Sequence, residues 1–335
     1  MPPSESRGNE QPTLEPRGDT ARAWWIPPLA GAAFGVALRV VYSGDGDQAF
    51  NVMLGSFAIL APVAVGAVTI LIAEIYARRS WGYYFGVAAL ANMLFILGTL
   101  VILIEGLICA IIAMPLFGLV GGIAGLATGA VCRFTRWART AVYSVAVLPL
   151  VLGGFEHRIP LPVTVDDVAT TRVVAAAPEQ IWPHLLDTPN IEPREIGGAW
   201  MYRIGVPLPL TATTERRGDE LVRHIAMGKG VRFDQIATDW ENGRRVKWTY
   251  RFAPDSFPPG ALDDHVRIGG YYFDVLDTEY GIEPTDEGAR MTATMRYRVS
   301  THFNWYARPV ARFLVGNFQQ TALEFYARRA EQGAR

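Results

Sequence analysis

Cysteine is nearly missing from this chain. Its only two, Cys109 and Cys132, both fall in apolar stretches, so the charged C-terminal half has no disulfide and no cysteine metal site. Each reads as a small packing residue. Lysine is as scarce, with Lys229 and Lys247 the only two among 31 basic residues, a bias of coding and not of function. No charge of one sign accumulates either: the net charge is −1, and residues 156–335 hold 22 basic against 24 acidic groups. That balance gives no footprint for a polyanion, so nucleic acid is excluded as a partner. No Gly-rich turn separates a strand from a helix, which removes the phosphate loop, the dinucleotide fingerprint and the nucleophile elbow. The five histidines, at 157, 184, 224, 265 and 302, are scattered. Asp263, Asp264 and His265 could ligate a metal, but no second cluster stands at a supporting spacing, so neither a metal nor a cofactor is expected.

Charge is missing most conspicuously between residues 24 and 155, where 132 positions carry ten charged groups, against 46 in the following 180. The overall 50% hydrophobic content and mean hydropathy of +0.16 thus average two different regions. Residues 1–23, rich in Pro, Gly, Glu and Arg, cannot build a core and read as a disordered tail, not a cleaved signal peptide. Five apolar stretches follow, at 24–42, 52–77, 81–104, 107–131 and 140–155, and they predict a bundle of about five membrane spans. Pro27-Pro28 suits a helix start, while the last stretch is short and interrupted by Pro149. Arg17 and Arg22, Arg78 and Arg79, and Arg133, Arg136 and Arg139 lie in alternate connections, whereas Ser43–Phe50 and the turn at Glu105 contain no arginine. Positive residues collect on the cytoplasmic side, so an odd number of spans places the C-terminal domain outside the cytoplasm. Arg39 and Arg158 fall against this pattern. Trp24, Trp25, Trp81, Tyr83, Tyr84 and Trp137 lie at span ends, where amphipathic rings favour the interface. Glu74 can pair with Arg78 one turn later. Small residues from Gly118 to Gly129 permit close helix contact. Glu105 is the unusual group of this region: at a hairpin turn it is interfacial, and within the bilayer it would mark function.

Beyond a linker at 156–164 the hydrophobic period becomes two. Val246, Trp248, Tyr250 and Phe252 alternate with polar residues, as do Met291, Ala293, Met295, Tyr297 and Val299, predicting antiparallel strands with one apolar face. Further strands are predicted at 168–175, 199–206, 211–217, 220–228, 231–240 and 270–283, with turns at Arg217-Gly218-Asp219, Asn242-Gly243 and Asp286-Glu287-Gly288. A short helix is expected from Pro178 to Asp187. A long one is expected from Trp305 to Gln332, with Tyr306, Val310, Phe313, Leu314, Phe318, Thr321 and Phe325 along one stripe. The class is α+β: a helix packed on the apolar face of a curved antiparallel sheet.

The opening Thr171-Arg-Val-Val-Ala-Ala-Ala-Pro-Glu-Gln-Ile-Trp182 with Leu185-Leu186-Asp187, and the stretch Gly230 to Gly243 leading into Arg245-Val-Lys-Trp-Thr-Tyr250, resemble the START-like superfamily, also called SRPBCC, of polyketide cyclases and lipid-transport proteins. The resemblance covers 165–332, within a domain set at 165–335. It implies a helix-grip fold with an apolar cavity between sheet and C-terminal helix, able to take lipids, sterols or polyketides, and only some members are enzymes. The sequence departs from the pattern at Thr188 to Pro193, where many members carry an aromatic-containing second helix. Ligand-binding candidates are Trp248, Tyr250, Phe252, Met291, Met295, Tyr297, Phe313 and Phe318, with Tyr250 and Tyr297 as polar handles. Arg223, His224 and Arg232 read first as a solvated strand face, the alternative being a buried charge for a ligand carboxylate or phosphate. The long loop from Asp255 to His265 has the length of a lid.

The expected whole is a multi-pass protein of a bacterial inner membrane that binds or transfers a lipid or other hydrophobic small molecule beside the bilayer, with no catalytic residue assigned and catalysis not the default. The alternatives are a cyclase or dehydrase acting on a hydrophobic substrate, with Tyr250, Tyr297 or a buried Arg or Asp as acid or base, and a transport or sensory unit whose soluble domain is the receptor.

Overall fold

A computed structural model of the chain describes residues 24–44, 48–135 and 138–333. The expected tail at 1–23, together with Arg136 and Trp137, lies outside the described residues. The N-terminal half is helical: α1 (Ile26–Val41), α2 (Ala61–Tyr76, preceded by a wide turn at Ser56–Leu60), α3 (Trp81–Val101), α4 (Leu107–Phe134) and α5 (Ala138–Glu156). Three of these are long and apolar enough to cross a membrane, namely Ser56–Tyr76, Trp81–Val101 and Leu107–Phe134. This corrects the expectation of five. At about 1.5 Å per residue, the 16 residues of α1 reach only about 24 Å of the roughly 30 Å of hydrocarbon. α5, 19 residues long, is interrupted by Pro149.

Local chemistry sets the helix ends. Pro27 and Pro28 occupy the first turn of α1, where a missing N–H has no intrahelical partner to lose. Ser80 caps α3 by accepting from the Tyr83 N–H. Glu156, at the end of α5, accepts from the Gly55 and Ser56 N–H groups at 2.8 and 2.7 Å and so caps the wide turn that starts the α2 span. Close helix contact depends on Gly125 of α4, where a Cβ would strike Ala88 and the Tyr84 carbonyl of α3.

The ends of the bundle differ in charge. Arg133 lies over the Trp81 ring at 4.5 Å and donates to the Arg79 carbonyl, so Arg78, Arg79 and Arg133 gather at one end. At the other end the Glu105 turn receives Arg39, whose Nε is 2.8 Å from Glu105 Oε2 and whose other nitrogens donate to the Tyr42 and Ile104 carbonyls. Arg39 departs from the loop pattern because it is a buried ion-pair partner and not a solvated interfacial charge.

The C-terminal half is a seven-stranded antiparallel sheet ordered β1-β7-β6-β5-β4-β3-β2. Its strands are β1 (Val163–Val174), β2 (Pro209–Arg217), β3 (Glu220–Met227), β4 (Arg232–Glu241), β5 (Arg245–Arg251), β6 (Phe273–Thr285) and β7 (Gly288–Ser300). Three short helices, α6 (Pro178–Leu186), α7 (Pro193–Ile196) and α8 (Trp200–Arg203), join β1 to β2, and the long α9 (Asn304–Gly333) follows β7. The strand expected at 199–206 is therefore helical: Trp200 to Arg203 form one turn closed by the Ile204 N–H on the Trp200 carbonyl.

The apolar alternation buries one face of the sheet against α6 and α9 in a core that includes Trp248, Tyr280, Met291, Leu323 and Phe325. Gln319, buried on α9, is satisfied by the Val168 and Ala293 carbonyls at 2.9 and 3.1 Å and by Thr170. The sheet domain rests on the Glu105 end of the bundle. Tyr306 of α9 donates to the Ile112 carbonyl at 2.6 Å, and His302 Nδ1 lies 2.8 Å from Glu156. The loop between β5 and β6 packs on the α3–α4 turn, with Asp263 against Gly106. What has the length of a lid is thus a docking segment.

Trp248 is wholly enclosed in this core, whereas Phe313 is more than half exposed on the far side of α9. Trp248→Ala should cost about 3–5 kcal/mol of stability, and Phe313→Ala less than about 0.5 kcal/mol. Chemical unfolding of the detergent-solubilised chain checks both.

Candidate ligand cavity

One cavity of about 360 Å³ runs between the sheet and α9 and continues into the end of the helical bundle. Tyr306, Val310, Leu314, Phe318 and Phe325 line it from α9 at helical spacing. Ile191, Ile196, Met201 and Tyr202 close a side from the segment around α7 and α8, and Phe57, Phe95, Leu116 and Phe117 form the part within the bundle. The volume is that of a site for a drug-sized or single-chain apolar molecule, and the wall is mostly apolar.

Of the candidate residues, Tyr250, Met295, Phe318 and Glu105 face this cavity. Trp248 and Met291 are in the packed core behind it. Tyr297 belongs to a separate buried cluster with Val168, Val299 and Val315. Phe252 packs among Phe233, Tyr250 and Phe257 instead of lining the space. Phe313 lies off the lining stripe, one position before Leu314, and meets Trp200 on the outside. The strands carry the apolar face where the alternation puts it, but only the part not covered by α6 and the C-terminal turns of α9 is left open.

For Arg223 the alternative reading, a buried charge, is the one that fits. Leu221, Arg223, Ile225 and Met227 share one face of β3, so an arginine sits in a run that is otherwise apolar at every second position. That face is the cavity wall, and Arg223 is 3% exposed. His224, one residue on, points outward to Glu215 and Asp234 at 3.1 and 2.7 Å, and Arg232 pairs with Asp255 on the surface. The solvated-face reading holds for those two and fails for Arg223, because a period of two gives neighbours opposite environments.

Arg223 has no carboxylate within ion-pair distance among the described residues. Its Nη2 donates to the Tyr326 hydroxyl at 3.2 Å, its Nε has no partner, and its guanidinium stands 5.9 Å from the centre of the Trp248 ring. Burial pushes against its charge; the lift that raises its pKa overall comes from the Tyr326, Tyr280 and Tyr250 oxygens as phenolates, a state they do not hold at neutral pH. Burial in turn pushes the Tyr250 and Tyr280 phenols up, more than the Thr278 hydrogen bond and Arg223 lower the first. At neutral pH the wall therefore holds one cation and neutral hydroxyls, with the Gln235 carbonyl oxygen also unpartnered.

Where the cavity meets the bundle, Arg39, Glu105, Cys109 and His265 line it. Asp263 lies beside them; burial would raise its carboxyl, but the adjacent His265 ring and backbone N–H hold it down at about 2.

No family model and no curated protein matches this sequence. Solved structures similar to the C-terminal half include the di-domain ARO/CYC StfQ from the steffimycin biosynthetic pathway, at 16% identity and a TM-score of 0.33, covering 58% of this chain and 62% of that one. The Zhui aromatase/cyclase from Streptomyces sp. R1128 is similar at 14% identity and a TM-score of 0.32, covering 51% and 97%. The protein TTHA0849 from Thermus thermophilus is similar at 17% identity and a TM-score of 0.33, covering 51% and 100%.

A buried charge without a partner destabilises the empty protein. Replacing Arg223 with the apolar, similarly long Met should raise the thermal unfolding temperature of the ligand-free chain, by the equivalent of about 1–4 kcal/mol. A fall in that temperature would mean that the phenols and the indole ring compensate the charge fully.

Proposed function

We propose that this protein is a membrane-tethered, START-like receptor or carrier for an amphipathic molecule with an anionic head and an apolar body, a fatty acid or related lipid acid being the simplest case. One observation carries the reading: an apolar cavity that passes from the sheet domain into the bundle and contains a single buried guanidinium with no carboxylate partner among the described residues. An anion bound there would form a charge-assisted, bidentate pair with Arg223, while Tyr326 and the neighbouring hydroxyls supply further donors. The apolar body would extend along the α9 stripe toward Phe57, Phe95 and Phe117. The molecule could then pass between bilayer and cavity with little exposure of its chain to water, which is the advantage of fixing the domain to the bundle.

The charge of the bundle ends supports an orientation. Arg78, Arg79 and Arg133 stand at the end opposite the sheet domain, and on this reading α5, which returns from that end to the domain, crosses beside the three long helices, so the positive-inside tendency puts the arginines in the cytoplasm and the domain outside it, across a bacterial inner membrane. Trp305, exposed in the first turn of α9 beside the bundle, is suited to the interface. Tyr250 and Tyr280 are raised by burial and remain protonated at neutral pH, where they can donate hydrogen bonds to a bound head group.

The test is uptake of a radiolabelled long-chain fatty acid and of the matching fatty alcohol by the full-length chain in detergent. The acid should bind, and Arg223→Met should weaken it by about 10-fold or more, the loss of one buried charge-assisted pair. Alcohol binding should change little. No uptake of the acid by the native chain, or equal affinity of both forms for it, contradicts the reading.

A further inference from the structure

The docking seam between the two halves brings together four side chains of mixed donor chemistry. Glu105 lies just before α4, and Cys109 lies in its first turn. Asp263 and His265 come from the β5–β6 loop, where the His265 backbone N–H donates to Asp263 Oδ1 at 3.0 Å and turns both side chains toward the helix. One carboxylate oxygen each from Glu105 and Asp263, the Cys109 Sγ and a His265 ring nitrogen all lie within 4.8 Å of one another. Gly106 permits this approach, since a Cβ there would strike the Asp263 carboxylate.

We propose that these four residues form a zinc site that clamps the sheet domain to the membrane bundle. Ligand atoms about 2.0–2.3 Å from a tetrahedral ion are about 3.3–3.8 Å apart, so to close on zinc the pairs spread toward 4.8 Å contract and the His265–Asp263 pair, at 2.9 Å, opens slightly. His265 Nδ1 is 2.9 Å from Asp263 Oδ1 and 3.8 Å from Glu105 Oε1, so the ring nitrogen is aimed between the two carboxylates. Glu105 uses only Oε1 here, because Arg39 holds Oε2 at 2.8 Å and fixes the carboxylate as outer-shell partners of metal ligands do. A thiolate and an imidazole beside two carboxylates select zinc over magnesium or calcium.

The charges also close. Zinc displaces the thiol proton of Cys109 and takes a neutral His265, so two positive charges of the ion and one of Arg39 meet three negative charges from Cys109, Glu105 and Asp263. The buried seam is neutral with the ion in place. Four protein ligands drawn from both halves make this a structural site, which joins segments more than 150 residues apart.

The experiment uses the full-length chain in detergent, loaded with excess zinc or cobalt and then freed of unbound metal. Zinc should remain at about one equivalent, and cobalt should show a thiolate charge-transfer band in the near ultraviolet. Cys109→Ser should abolish that band, and His265→Ala should weaken retention by at least about 10–100-fold, the range seen even for outer-shell losses. The cobalt spectrum of the native chain decides the matter even if a variant folds poorly. No retained zinc, or cobalt bound without the thiolate band, overturns the proposal and leaves the cluster an ion-paired latch.

Discussion

The contact between the α3–α4 turn and the β5–β6 loop is the constraint from which the rest follows. Gly106 lets Asp263 in close, Arg39 neutralises Glu105, and the sheet domain is held on one end of the bundle by polar groups that would be costly to bury singly. With that seam in place, the open end of the sheet-and-helix cavity is covered by α3 and α4 and not by water. Without it, the α9 stripe and the aromatic wall of the bundle would be two exposed apolar patches. The docking thus turns surfaces that would aggregate into one lined cavity.

Within that cavity, stability and recognition oppose each other. A sheet domain optimised only for folding would place Met or Leu at position 223, as it does at Leu221, Ile225 and Met227 on the same face. A lone guanidinium instead lowers the stability of the empty protein and raises the gain when an anion arrives. The buried phenols follow the same logic: neutral and hydrogen-bonding, they soften the field of Arg223 without cancelling it.

Much of the architecture is legible in the sequence because it depends on local period. The alternations through Trp248 and Met295 give strands and the face they bury, and the stripe from Tyr306 to Phe325 gives a helix that touches the same space. What fails is what depends on length or on distant partners. The first apolar stretch is apolar enough, yet its helix α1, 16 residues long, is too short to cross by itself. The segment at 199–206 has strand-like composition, but its chain turns back at Ile204 on the Trp200 carbonyl. Cys109 reads as packing, and Asp263 with His265 as half a metal site, because their partners are more than 150 residues away. Arg223 is within reach of the same alternation that marks Tyr250, since β3 alternates as β5 does.

An anionic amphiphile held at Arg223 would fill the cavity lined by both halves. Native mass spectrometry of the full-length chain, released from its detergent micelle, measures this directly. The prediction is one retained small molecule per chain, carrying an acidic head group, and loss of that mass from Arg223→Met. A native chain that retains nothing, or retains only neutral lipid to the same extent in both proteins, would contradict it.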